Sequence, residues 1–412
     1  MLALVYMTDP DPWPEPLPDD APRLLHNLAT TPMALREVPD PEPLAEDWVV
    51  LDTRLTGICG SDAKQVLMDF EDADDNLMTA FISFPQVLGH EVVATVAEVG
   101  SRVTAVEPGQ RVVLNPWLSC APRGLDPCPA CVAGDLSACW NFTSGRLSPG
   151  IHTGNAAEAT GGFASALPAH ESMLHVVPDT ISDEAAVLAD PWSVSFHAIT
   201  RNPPPPGGRV LIYGAGALGS TAAAILTQLY DDVAVGVVAR WDAQAELARS
   251  LGAIVFSPEP REQLVEEVAA WSGAPTLQPW NGLPVAYPGH VDVVYDTVGS
   301  PATVEAAMRV LASRGTLVQM GVSSPGRFEW TPWYFKELRL VGSNAFGFET
   351  FEGATMHAID HYLDLTASGR LRLDGLLTHT FPLERWRDAF TTIVHQDSTG
   401  AIKVAFDHRG VR

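Results

Sequence analysis

Lysine is almost missing from this chain: three occur in 412 residues, Lys64, Lys336 and Lys403, and the other 22 of the 25 basic residues are arginines. Acidic residues number 50, so the formal charge is −25. An acidic surface repels phosphodiester backbones and anionic lipid, so no nucleic acid and no membrane is expected as a partner. A run of about 18 apolar residues, which a spanning helix needs, is absent. Asp9, Asp11, Glu15, Asp19 and Asp20 stand where a secretory signal would need a basic start and an apolar stretch; a cytoplasmic enzyme is expected. Cysteine is scarce as well, five in the chain, too few for a disulfide scaffold of this length. Four of the five lie between positions 120 and 139, and such clustering in a reducing compartment suggests metal.

What is present is ordinary for a packed protein: 46% hydrophobic and 18% charged residues, which excludes a disordered chain or a coiled coil. At roughly 150 residues per domain the length allows about two to three domains. The proline-rich, acidic opening TDPDPWPEPLPDDAP cannot form a regular helix and reads as a surface arm. From Trp48, short β-branched runs (VVLDTRLTGI, EVVATVAEVGSRV) predict a β-rich domain. From Arg209 to about Val341 strand and helix alternate, which predicts a parallel sheet with crossover helices. Within it, SPATVEAAMRVLAS reads as a helix capped by Ser300 with Pro301 first, and GTLVQMGV as the next strand. NPPPPGGR is a stiff joint before this stretch, and residues 275–290 look like an insertion loop.

Gly214-Ala215-Gly216-Ala217-Leu218-Gly219 fits G-x-G-x-x-G. It follows an apolar strand and opens a helix, so its amides and the helix N-terminus can receive a pyrophosphate. An NAD site calls for an acidic residue at the end of the next strand. Here Ala239 takes that place and Arg240 follows, a planar cation suited to a 2′-phosphate, so NADP(H) is favoured over NAD(H). Asp242 nearby, and the arginine bias of the chain, leave a plain solvated Arg240 open.

Cys120-x7-Cys128-x2-Cys131-x7-Cys139 offers four thiolates in twenty residues, a full tetrahedral set for a structural zinc. Cys59, His90 and the carboxylate of Asp190 sit in three separate segments; such a trio can bind a second zinc and leave a position for substrate. Spacing alone leaves a core role open for each of them, and Pro191 can equally mark a helix boundary.

The ordered set Gly57-Ile58-Cys59-Gly60-Ser61-Asp62, Gly89-His90-Glu91, the four-cysteine loop and the glycine motif resembles the zinc-dependent medium-chain dehydrogenase family, which includes alcohol, polyol and threonine dehydrogenases. The likeness runs from about residue 48 to the closing segments LLTHTFPL and Ile402-Lys403-Val404. It implies an α/β protein: a β-rich GroES-like catalytic domain, residues 1–192 and 344–412, with a structural zinc lobe at about 117–142, and a Rossmann-type doubly wound parallel sheet domain, residues 193–343. It implies two Zn²⁺ per chain, with Cys59 and His90 as ligands of the catalytic zinc. Asp190 stands where relatives carry Cys or Glu, and Glu91 is a possible alternate ligand. Asp62 would orient the metal-bound imidazole. Ser61 would hydrogen-bond the reacting oxygen, and a proton would leave through the cofactor ribose to Lys64. Gly321 and Val322 match the place where the backbone meets the nicotinamide amide. Trp117 and Trp192 could line the substrate pocket or belong to the core. The first cysteine gap is longer than the family's. The implied activity is hydride transfer between NAD(P)(H) and an alcohol, a polyol or the matching carbonyl, in a homodimer or homotetramer. The competing expectation is a zinc- and nucleotide-binding protein without net redox turnover.

Overall fold

Strand β1 (Trp48–Gly57) buries nearly every residue, because sheet partners and core cover both of its faces. The computed structural model describes residues 1–14, 16–69, 77–323 and 326–410. After β1 the chain turns at Ile58-Cys59 into the short helix α1 (Gly60–Val66) and returns through β2 (Glu91–Val99), antiparallel to β1 with Gly57 opposite Glu91 and Val49 opposite Val99. Arg111–Leu114 and Leu174–Val176 extend this sheet beyond β2, while Ala166–His170 pairs the first half of β1 on its other edge. A small sheet of Leu2–Tyr6, Met33–Glu37 and Gln86–Val87 lies beside it. The proline-rich arm between the first two of those strands is pinned by Asp11 to Arg36 at 2.5 Å and by Trp13 under the Arg387 guanidinium at 5.4 Å.

Helix α2 (Ala189–Arg201) leads into the second body, with Pro191 tolerated in its first turn. There follow β3 (Arg209–Tyr213), α3 (Ala217–Leu229), β4 (Ala234–Val238), α4 (Asp242–Ser250), β5 (Ile254–Phe256), a helix at Arg261–Ser272, β6 (Val291–Asp296), α5 (Pro301–Val310), β7 (Leu311–Gln319) and β8 (Arg339–Gly342). All six strands are parallel, in the order β5-β4-β3-β6-β7-β8. This is a Rossmann-type sheet, whose strand order reverses between β3 and β6 and opens a ligand crevice at their carboxyl ends. Thr297, just after β6, donates from N–H and Oγ1 to the Tyr213 carbonyl, both at 2.9 Å, and ties the crevice floor together.

Two local expectations change. The helix capped by Ser300 ends at Val310 rather than Ser313, because Leu311 pairs with Val291 and begins β7. Residues 275–290 carry a small hairpin, Thr276–Leu277 against Val285–Ala286. Beyond β8 the chain returns to the first body through Leu377–Phe381 and β9 (Lys403–Asp407), which pairs antiparallel with the end of β1. Among the described residues no helix is long and apolar enough to cross a membrane.

Candidate active site

The turn between β1 and α1 builds the first group. Cys59 is the N-cap of α1: its thiol accepts the Asp62 N–H, and Asp62 Oδ2 accepts the Cys59 N–H at 3.0 Å. The other oxygen, Oδ1, faces His90 Nδ1 at 3.6 Å. Asp62 therefore caps the helix with one carboxylate oxygen and sets the other against the imidazole. Burial opposes its ionisation, but His90 and the Cys59 N–H outweigh that and hold it below the usual carboxylate range. His90 arrives from the other side, just before β2. Gly89 ahead of it has φ +91° and packs against the Phe163 ring where a side chain would clash.

One ligand atom each from Cys59, His90 and Glu91 lies within 4.8 Å of the other two. Glu91 is ion-paired with Lys403, both side chains 2% exposed, and Lys403 Nζ also donates to the Ile58 carbonyl at 2.9 Å. Gly57 makes this possible, since a Cβ there would overlap the Glu91 carboxylate. Asp190, in the first turn of α2, is outside the tight trio but buried against the charges of His90, Glu91, Lys403 and Asp62; burial pushes its carboxyl up to about 7. Thiol, imidazole and carboxylate in one largely buried cluster, with Asp62 on the Nδ1 side of the His90 ring, fit the donor set of a zinc ion.

The four clustered cysteines also converge, again within 4.8 Å. Cys120 and Cys139 sulfurs lie 3.6 Å apart and Cys128 and Cys139 4.0 Å, far from disulfide length. N–H groups point at the sulfurs: Cys128 to Cys120 at 3.3 Å, Trp140 to Cys128 at 3.5 Å and Asn141 to Cys139 at 3.4 Å. At Cys128 burial resists ionisation, but the Trp140 and Cys131 N–H groups prevail and bring it to about 6. Burial holds the Cys139 thiol up instead. A set of four sulfurs with thiolate-stabilising donors fits a closed zinc centre. The long first gap is organised by Arg123, 1% exposed, whose five N–H donors reach five carbonyls, of Leu118, Ser144, Leu147, Ser148 and Gly150, at 2.6–3.1 Å.

In the crevice, Gly214 takes φ +98°, and a Cβ on Gly219 would overlap the Gly214 carbonyl, so the turn and the close helix–strand approach both need glycine. Gly216, the N-cap of α3, faces open space with nothing within 4 Å of a Cβ, room for a phosphate at the helix N-terminus. Ala239 is buried at the end of β4. Arg240 is exposed, its guanidinium 4.7 Å over the Trp241 ring. Gly321 packs on the Thr297 carbonyl, and Val322 beyond it is 73% exposed. Lys64 of α1 reaches across and donates to the Val322 carbonyl; burial lowers its pKa. Ser61 is exposed in the first turn of the same helix.

Trp192 is core, fully buried and stacked on Phe196 at 4.4 Å. Trp117 lies edge-on to His152 at 5.9 Å, and His152 in turn packs on His90 at 4.3 Å. Sequence reasoning missed His152, which no motif marks. It read Lys403 only as part of a closing segment, although the scarcity of lysine was a usable signal.

Residues 45–179 match the model of the alcohol dehydrogenase GroES-like domain, and residues 217–360 that of the zinc-binding dehydrogenases. The chain is 28% identical over 333 residues to (R,R)-butanediol dehydrogenase of Saccharomyces cerevisiae, covering 77% of this chain and 81% of that one. It is 29% identical over 357 residues to probable D-xylulose reductase A of Aspergillus terreus, covering 86% and 90%. Among solved structures, a putative zinc-binding dehydrogenase from Sinorhizobium meliloti bound to NADP aligns with a TM-score of 0.70 at 25% identity, over 91% and 96% of the two chains. An alcohol dehydrogenase from Thermus sp. ATN1 has the same fold, with a TM-score of 0.72 at 24% identity over 99% of each chain. With a GroES-like body, a Rossmann-type sheet and both cysteine-bearing clusters in one molecule, the chain belongs to the zinc-dependent medium-chain dehydrogenase family.

Proposed function

We propose that the protein is a zinc-dependent oxidoreductase that transfers a hydride between a nicotinamide dinucleotide, with NADP(H) preferred, and an alcohol or polyol or the corresponding aldehyde or ketone. The observation that carries this reading is the contact of Lys64 with the Val322 carbonyl. It joins the helix capped by Cys59 and bearing Ser61 to the loop after β7, which supports a reading in which the metal-ligand trio and the nucleotide turn serve one site. Both relatives named above act, by their names, on compounds with oxygen on adjacent carbons, which supports a polyol-like substrate.

When bound, zinc polarises the substrate oxygen and the nicotinamide accepts or returns the hydride. Cys59 and His90 hold the metal, with Glu91 or Asp190 as the carboxylate ligand, and Cys120, Cys128, Cys131 and Cys139 hold a second ion. Asp62 fixes the His90 ring. Ser61 Oγ would accept the proton of the substrate hydroxyl while giving up its own, and the Lys64 amine, neutral at the start, would take up the proton at the outer end of the path. Gly214, Gly216 and Gly219 seat the pyrophosphate, Gly321 and Val322 the carboxamide, and Arg240 a 2′-phosphate. In this reading residues 1–192 and 344–412 form the catalytic domain and 193–343 the nucleotide-binding domain, and copies associate as a dimer or tetramer. A turnover screen with NADPH and NADH over aldehydes, ketones and sugars, and with the oxidised cofactors over alcohols, tests the activity. Metal analysis should give two zinc ions per chain; a ratio of one removes one of the two site assignments.

A further inference from the structure

The wall beside His90 is apolar. Trp117 is 7% exposed and packs edge-on against the fully buried Phe346 at 6.1 Å, and Ile151 lies in the same cluster. His152 interrupts it. The backbone there is fixed by a β-bridge between Trp117 and His152. The ring is held on two sides, tilted 46° on His90 with centroids 4.3 Å apart and at 89° to Trp117. Its Nδ1 lies 2.8 Å from the Thr153 carbonyl. A carbonyl only accepts, so Nδ1 carries the hydrogen, and in the neutral ring Nε2 presents a lone pair. Among the described residues that nitrogen has no hydrogen-bond partner, and unlike its buried neighbours the residue is partly exposed.

We propose that His152 is a specificity-determining residue whose Nε2 accepts a hydrogen bond from a substrate hydroxyl on the carbon next to the reacting one, so that the site selects vicinal diols and α-hydroxy carbonyls over their monohydric counterparts. The proposal rests on the dehydrogenase reading above. An acceptor in an apolar wall discriminates by what it loses: a substrate without the second hydroxyl leaves the nitrogen desolvated and unpaired, which a hydrocarbon wall would not penalise. The placement suits the role: the His152 ring lies 4.3 Å from the His90 ring, and in a substrate whose reacting oxygen lies at the His90 cluster the adjacent carbon is only two bonds from that oxygen.

The test compares pairs that differ by that hydroxyl, butane-2,3-diol with butan-2-ol and acetoin with butan-2-one, using the zinc-loaded full chain and NADP(H) or NAD(H). The wild type should favour the hydroxylated member. His152→Leu should lower the ratio of the two kcat/KM values by about ten- to a hundredfold, mainly through KM, and His152→Gln, which keeps an acceptor, should restore part of it. Zinc content and Tm of both variants, and the Tm shift that butane-2,3-diol gives in the presence of oxidised cofactor, complete the test. The diol shift should be lost in His152→Leu while zinc content holds. Equal wild-type preference for both members overturns the proposal, as does a His152→Leu variant that loses zinc or slows both members alike. A wild type that reacts with neither pair, while the wider screen finds only substrates without oxygen on adjacent carbons, overturns it as well. Absence of hydride transfer to any compound, with zinc and nucleotide bound, overturns the dehydrogenase reading itself.

Discussion

The two cysteine-bearing clusters are built in opposite ways. The lobe at Cys120–Cys139 gathers four identical soft ligands from one short segment, points N–H donors at the sulfurs and surrounds them with loops that Arg123 holds through backbone carbonyls alone. The cluster at Cys59 takes its members from two distant segments, mixes thiol, imidazole and carboxylate, and crowds three further ionisable groups, Asp62, Asp190 and Lys403, into the same space. Identical ligands from a local segment suit an ion that stays closed to substrate. Unlike ligands from distant segments leave an unbalanced, adjustable environment, which is where a reaction can be driven.

Mutations can break that contrast. Cys59→Ala should cost about a thousandfold or more in kcat, several kcal/mol of lost polarisation, and one zinc per chain, while Tm by calorimetry moves little; a large Tm drop would make this cluster structural as well. Lys403→Met should cost about 3–5 kcal/mol of stability in denaturant titrations, because it leaves Glu91 buried and unpaired. Recovery of that loss in the double variant with Glu91→Gln would confirm the pair as its cause. Cys139→Ser should remove the other zinc, destabilise the lobe and open residues 117–142 to proteolysis, yet leave kcat per folded molecule within about threefold, since surface-lobe losses act through stability rather than chemistry. A collapse of kcat in soluble, folded Cys139→Ser would erase the division of labour. The smallest effect is expected from Arg240→Ala, about a tenfold fall in NADP-over-NAD preference for one exposed charged contact; an unchanged ratio would show that the arginine is simply solvated.

The Rossmann-type half was legible because its signals are local. An apolar strand, a glycine turn and a capped helix repeat in order, and β3, α3, β4 and α4 follow the sequence pattern closely. The boundary at Val310 was misplaced because sheet pairing of Leu311 with Val291 prevails over a helical pattern that continues in sequence. The four-cysteine lobe was equally readable, as its ligands sit within twenty residues. Less of the mixed cluster could be seen. Cys59 and His90 stood out through their motifs. The pairing of Glu91 with Lys403 and the packing of His152 on His90 join residues far apart in the chain, and no periodicity records such meetings. The three lysines turn out to be partnered with carbonyls or a carboxylate: Lys64 with Val322, Lys403 with Glu91 and Ile58, and Lys336 with the carbonyls of Met308, Arg309 and Leu311 at the end of α5.

The position of β9 also sets a timetable. During synthesis Cys59, His90 and Glu91 leave the ribosome more than three hundred residues before Lys403, a delay of about 15–60 s at ordinary elongation rates. Through that interval β1 waits with half of one edge unpaired, and Glu91 is without its cation, while the parallel sheet can fold between them. A nascent chain arrested inside the nucleotide-binding body would therefore carry the metal-binding motifs without the charge that balances them, and chaperones would meet the reactive cluster before it is finished.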